Sequence, residues 1–147
     1  MGWLTRFAGK TVALDSAPLI YFVEKHPDFH ALVRPFFQAL QRGEFEVVAS
    51  AITLTEVLVH PLKRENIALA GRFREMFLET EHFRTVSVTP EIAEAAARLR
   101  ADHGIRTPDA LHIATANHCN ADFFLTNDTR LSAISRPTVL QVLDLTT

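Results

Sequence analysis

The stretch Thr11-Val12-Ala13-Leu14-Asp15-Ser16-Ala17-Pro18 decides how the rest of the chain is read. A short apolar run that ends on a carboxylate reads as a buried strand, because it is too brief for a helix. The Asp-Ser-Ala-Pro step then opens a helix through Leu19, Ile20, Phe22 and Val23, with proline where a first turn accepts it. The same alternation runs through the chain. Phe45 to Ala49 is a second strand, followed by a helix from Thr53 to His60 that Pro61 is expected to stop. Phe83 to Val88 is a third, followed by a helix from Pro90 to His103 closed by Gly104. Asp122 to Leu125 is a fourth, Asp128 to Ile134 a short helical turn, and Thr138 to Leu143 the last strand.

Three further helices fill the gaps. Asp28 is the expected cap of one that carries Leu32, Phe36, Phe37 and Leu40 on a single stripe, with Pro35 inside it and Gly43 ending it. Another spans Glu65 to Glu79, and Pro108 opens one that runs through His118. Strands that are continuous apolar runs, alternating with helices, mean a parallel sheet buried on both sides. The expected fold is a three-layer α/β domain with a central parallel sheet and helices on both faces. At 147 residues one domain over 1–147 is expected, with residues 1–10 as an N-terminal extension before the first strand.

Composition narrows the class. Hydrophobic residues at 48% and charged residues at 22% exclude a disordered or fibrous chain. Cys119 stands alone, which excludes an internal disulfide framework and a cysteine-based zinc site and points to a reducing, cytoplasmic setting. No apolar run approaches the roughly 18 residues that span a membrane. The opening Met1-Gly2-Trp3-Leu4-Thr5-Arg6 lacks the apolar core of a signal peptide, and Arg6 stands where a myristoylation motif needs Ser or Thr. A net charge of −2 gives no broad positive field.

Open parallel sheets bind ligands outside the carboxyl ends of their strands, so polar residues just after strands matter most. Four are acidic. Asp15 ends the first strand, Asp128 follows Phe123-Phe124-Leu125 by a step through Thr126 and Asn127, Glu56 lies early in the helix after the second strand, and Asp109 follows Thr107-Pro108. Each has a structural reading: Asp15 and Asp128 as helix caps, Thr53-Leu54-Thr55-Glu56 as a capping box, Asp109 as a first-turn acid on a helix dipole. Two features favour a shared site. The helix of Asp109 is apolar nearly all round, and a carboxylate at its buried start is costly without a positive partner. Glu56 falls opposite the stripe of Leu54, Val57 and Leu58 and is free to face the crevice. Converging carboxylates repel by something on the order of 4 kcal/mol per close pair, which a hard divalent cation relieves. An oxygen-only set selects Mg²⁺ or Mn²⁺ over zinc.

Asp15 after an apolar strand, Thr53-x-x-Glu56, Thr107-Pro108-Asp109-Ala110-Leu111-His112-Ile113-Ala114-Thr115-Ala116 and Leu125-Thr126-Asn127-Asp128 resemble the four acidic motifs of PIN-domain ribonucleases, closest to the VapC-like toxins of bacterial toxin–antitoxin pairs. The resemblance runs from about Thr11 to the last strand. It implies a PIN-like domain acting as a metal-dependent endoribonuclease. Asp15, Glu56, Asp109 and Asp128 would hold Mg²⁺ or Mn²⁺, and Thr126 and Asn127 would support the site from behind. It also implies an RNA substrate, an antitoxin partner lying on the phenylalanine-rich early helices, and a homodimer. Two departures stand out: the ten residues before the first strand, and Ala17 where a polar side chain is frequent.

Other residues carry weaker signals. His112, three residues after Asp109 on the same helical face, is read as an interior histidine that bonds a carbonyl. Arginine supplies 12 of the 15 basic side chains. Arg106, two residues before Pro108, and Arg130, two after Asp128, are the candidates for RNA phosphate contacts. Eleven phenylalanines should be mostly core, some of them lining an interface. The competing functions are a housekeeping RNA-processing nuclease, a non-catalytic module that keeps the fold, and a phosphoacceptor domain. The last needs an adjacent acidic pair after the first strand and a lysine after the last, and the chain has neither.

Overall fold

The computed structural model describes residues 2–146. Its strands are β1 (Thr11–Leu14), β2 (Glu46–Ser50), β3 (Phe83–Val86), β4 (Phe123–Thr126) and β5 (Thr138–Gln141). Its helices are α1 (Trp3–Phe7), α2 (Ser16–Val23), α3 (His30–Gln41), α4 (Ala51–Lys63), α5 (Ile67–Glu79), α6 (Pro90–His103) and α7 (Thr107–His118), with short 3-10 turns at Thr129–Ala133 and Val142–Thr146. All strand pairs are parallel and the sheet order is β3-β2-β1-β4-β5.

Strand parity builds the three layers. Val12 and Leu14 of β1, Val47 and Ala49 of β2, Leu125 of β4 and Leu140 of β5 enter one core with α1 to α5. The alternate residues Ala13, Val48 and Phe124 face the other way, onto Ile113 and Ala116 of α7, and α6 packs outside α7 through Ile92, Ala96, Ala110 and Ala114. Both faces are apolar because both are covered, which is why the strands read as continuous runs rather than as alternations.

Trp3 and Phe7, from the segment before the first strand, contribute to the larger core. Trp3 and Phe7 of α1 are buried among Phe36, Phe45 and the half-buried Phe123, with ring centroids 4.8–6.1 Å apart. None of the eleven phenylalanines is exposed. The large apolar side chains left in solvent are aliphatic, among them Val59, Leu62, Ile67 and Leu78.

Four local expectations are corrected. Asp28 does not cap α3: the helix starts at His30, and His26 Nδ1 accepts the backbone N–H groups of Asp28 and Phe29 at 3.0 and 3.2 Å. Pro61 does not stop α4, which continues to Lys63 with Pro61 buried in its last turn. A proline there removes one backbone bond, and burial of its ring offsets the loss. The N-cap of α4 is Ser50, whose Oγ accepts the N–H of Ile52, so Thr53-Leu54-Thr55-Glu56 is no capping box. The last strand ends at Gln141, whose N–H is taken by Asp144 Oδ2 as the chain turns into its final 3-10 segment.

Candidate active site

The chain builds β1 to β3 on one side of the sheet, then crosses back to add β4 and β5 on the other. The switch point therefore lies at β1 and β4, and their carboxyl ends deliver Asp15 and the Thr126-Asn127-Asp128 step. Helix α4, leaving β2, brings Glu56; α7 packs against β1, β2 and β4 and brings Asp109 and His112.

Asp15 is both a cap and a site residue. Its Oδ1 accepts the N–H of Ser16 at 2.8 Å and its Oδ2 accepts the Thr126 hydroxyl at 2.7 Å. Thr126 Oγ1 in turn accepts the N–H of Asp128 at 3.0 Å, so one buried hydroxyl fixes the two acidic turns relative to each other. The support that Ala17 cannot give to Asp15 comes from Thr126.

The start of α4 explains the Thr53-x-x-Glu56 spacing. With Ser50 as cap, Thr53 and Glu56 lie one turn apart on the face toward α7, and they hold His112 from both sides. Thr53 Oγ1 is 3.2 Å from His112 Nδ1, and Glu56 Oε1 is 2.8 Å from Nε2, with Asp15 Oδ1 at 3.6 Å. His112 is buried yet bonds the Glu56 carboxylate and the Thr53 hydroxyl instead of the carbonyl expected of an interior histidine. Burial alone would lower its pKa. The hydrogen bond to Glu56, with the charges of Asp15, Glu56 and Asp109, outweighs burial and raises it above the ordinary histidine value.

Asp109 and Asp128 stand apart from that group, each beside an arginine. Asp109, almost fully buried at the start of α7, accepts Arg106 Nε at 3.2 Å. Asp128 accepts Arg130 at both carboxylate oxygens, at 2.6–3.2 Å, and also takes the Arg130 backbone N–H. The Arg130 side-chain hydrogen bond holds the Asp128 carboxyl below the usual carboxylate range. Asn127 bonds no carboxylate; its Nδ2 donates to the Tyr21 hydroxyl at 2.8 Å and anchors the acidic turn to α2.

Comparison with known proteins bears on the family and the fold. The family model of the PIN domain matches residues 12–137. The chain belongs to the PIN domain family. The fold of this PIN domain is similar to that of a chain in the VapBC2 structure from Rickettsia felis bound to a promoter DNA fragment, with TM-score 0.71, 18% identity, and coverage of 89% of this chain and 98% of that one. A chain of a toxin–antitoxin complex from Klebsiella pneumoniae gives TM-score 0.67 at 24% identity, covering 89% and 97%. VapC20 of Mycobacterium tuberculosis, a sarcin–ricin loop cleaving toxin, gives 0.69 at 17%, covering 83% and 93%. No curated protein matches the sequence.

A divalent ion suits the donors of this PIN domain. Asp15, Glu56 and His112 each offer one ligand atom, all within 4.8 Å of one another. Two carboxylate oxygens with one imidazole nitrogen form a mixed donor set, not the oxygen-only set expected from the sequence. His112 is the residue that sequence reasoning misplaced. The signal was available: His112 lies one turn after Asp109, and Thr53-x-x-Glu56 presents two oxygens at matching spacing. Thr126→Val tests the linking hydroxyl. It should lower stability by about 1–3 kcal/mol in urea unfolding, because the N–H of Asp128 loses its acceptor, and it should slow any catalysis. Unchanged unfolding and activity would mean that Thr126 positions nothing.

Proposed function

We propose that this PIN domain is a Mg²⁺- or Mn²⁺-dependent endoribonuclease that hydrolyses RNA phosphodiester bonds, and that it is the toxin of a type II toxin–antitoxin pair. The observation that carries the nuclease reading is the meeting of Asp15, Glu56 and His112, from three separate segments, at the switch point of a parallel sheet, with ligand atoms within 4.8 Å of one another. Capping accounts for Asp15 and Asp128, whereas Glu56 meets His112 from within α4 and the buried Asp109 meets Arg106 at the start of α7. Asp15 and Glu56, with His112 beside them, would hold the ion, and Asp109 and Asp128 would flank it. Bound there, the ion would lower the pKa of a coordinated water and neutralise charge on the scissile phosphate. The chain's own groups do the rest: Thr126 fixes Asp15 against Asp128, Thr53 orients His112, and Arg106 and Arg130 meet the phosphates of the RNA.

Purified protein should cut RNA with Mg²⁺ or Mn²⁺ and stop on addition of chelator. Without RNA, Mn²⁺ at about 100 times its Kd should stabilise the fold by about 2.7 kcal/mol, read as a rise in Tm. Absence of both cleavage and a Tm shift at millimolar metal would defeat the reading.

The toxin role is supported by likeness to chains from toxin–antitoxin complexes, and by grooves on the helical face. Two clefts of about 450 Å³ each run between α2, α3 and α5, lined by Phe22 and Val23 in one, Phe37 and Leu40 in the other, and Met76 in both. An amphipathic antitoxin segment would bury its apolar side there and place a basic side chain among the acidic residues. The aliphatic Val59, Leu62, Ile67 and Leu78, exposed on α4 and α5, offer a pairing surface for a homodimer. In the cytoplasm, the chain expressed alone should slow growth, and co-expression with its antitoxin should restore it. Harmless expression of a protein that cuts RNA in vitro would make it an RNA-processing nuclease instead.

A further inference from the structure

His112 brings an imidazole to a site that carboxylates alone could build. Its side chain is 1% exposed, and both ring nitrogens have partners. Nδ1 lies 3.2 Å from the Oγ1 of the fully buried Thr53, and Phe124 lies along the ring with centroids 6.4 Å apart. Nε2 has Glu56 Oε1 at 2.8 Å and Asp15 Oδ1 at 3.6 Å. One carboxylate oxygen satisfies a ring N–H, so a second oxygen near the same nitrogen fits a shared ion better than a lone hydrogen bond.

We infer that His112 is itself a ligand, its Nε2 joining Asp15 and Glu56 on the ion, and that this nitrogen–oxygen centre takes a transition-metal ion such as Mn²⁺ or Co²⁺ well ahead of Mg²⁺. The inference rests on the divalent-metal reading above and deepens it by naming the class of ion.

Thr53 makes the nitrogen available. An imidazole offers Nε2 to an ion when its proton is on Nδ1, and the partner of Nδ1 fixes that choice. The Thr53 oxygen accepts an Nδ1–H; its hydroxyl can instead donate to a bare Nδ1. The ring therefore keeps its place whether Nε2 faces Glu56 or an ion. Spacing agrees with coordination. Two ligand atoms about 2.1 Å from one ion and at right angles lie about 3.0 Å apart. The two Nε2 separations fall on either side of that value. Asp15 and Glu56 are 13% and 33% exposed, so the Glu56 side stays open to water and phosphate.

Ion preference follows from the donors. Mg²⁺ takes oxygen ligands and gives up its waters reluctantly, whereas imidazole binds more firmly from Mn²⁺ to Co²⁺. A nitrogen in the set therefore favours the transition ions.

Electron spin echo measurements on Mn²⁺ bound to the wild-type protein without RNA read the ligand directly, because a coordinated imidazole imprints nitrogen modulation on the echo. That modulation should be present, and calorimetric affinities should rise from Mg²⁺ to Mn²⁺ to Co²⁺. In His112→Asn the modulation should vanish and Mn²⁺ affinity should fall about tenfold or more, while Mg²⁺ affinity should change by less than about threefold. Thr53→Val should lower Mn²⁺ affinity about tenfold, and Thr53→Ser, which keeps the hydroxyl, should restore it. If His112→Asn does not fold, the wild-type echo and the two Thr53 variants decide. Bound Mn²⁺ without nitrogen modulation, or Mg²⁺ bound as tightly as Mn²⁺, overturns the inference and leaves the nuclease reading standing. A wild type that binds none of the three ions removes both.

Discussion

Replacing Asp15 by asparagine is expected to lower RNA cleavage about a thousandfold and to leave the fold in place. The size of the loss follows from the position of this carboxylate. It lies at the switch point, within ligand distance of Glu56 and His112, and is tied to Asp128 through Thr126. The fold survives because the amide oxygen of asparagine still accepts the N–H of Ser16, so the cap of α2 is kept. Removing a negative charge also relieves repulsion with Glu56 while weakening the attraction to His112, and the two changes oppose each other. Cleavage assays with circular dichroism separate the outcomes. Lost activity with native secondary structure and no Mn²⁺-induced rise in Tm supports the assignment. Lost secondary structure would make Asp15 a structural cap, and retained cleavage would remove it from the site.

The second large effect belongs to the opposite end of the molecule. Phe7→Ala should cost about 3–5 kcal/mol of stability, or roughly 10 °C in Tm for a chain of this size. Phe7 is fully buried and touches Trp3, Phe36, Phe45 and Phe123. Its removal opens a cavity where α1, α3 and the sheet meet, far from the acidic edge. Cleavage per folded molecule should therefore stay at the wild-type level. A loss below about 1 kcal/mol in denaturant unfolding would show that residues 1–10 form an appendage, and a matching loss of activity would show that α1 reaches the site.

Asp15, Glu56 and Asp128 were legible as candidates because each follows a strand in sequence, and strand ends in a parallel sheet share one edge; Asp109 follows α6 and was legible only from the apolar helix that it opens. Capping chemistry competed with the site reading at Thr53 and Glu56, where a Thr-x-x-Glu spacing fits a helix start and a same-face clamp equally well. Only the true start of α4, set by Ser50, distinguishes them. Arg106 and Arg130 were legible as neighbours of the acidic edge, but what they touch depends on side-chain direction, which sequence spacing does not fix.

Local chemistry by itself determined the strand and helix alternation and the parallel three-layer architecture, and it nominated the four carboxylates. Apolar runs, prolines, glycines and capping residues act within a few positions of the chain. Tertiary structure alone decided that His112, Thr53 and Glu56 form one cluster from residues 59 and 56 positions apart. It also decided that Thr126 bridges Asp15 and Asp128, and that Trp3 and Phe7 complete the core. These are contacts between separate segments whose meeting depends on the sheet order. That order is fixed by how both faces of the sheet are covered, a property of the whole packed chain.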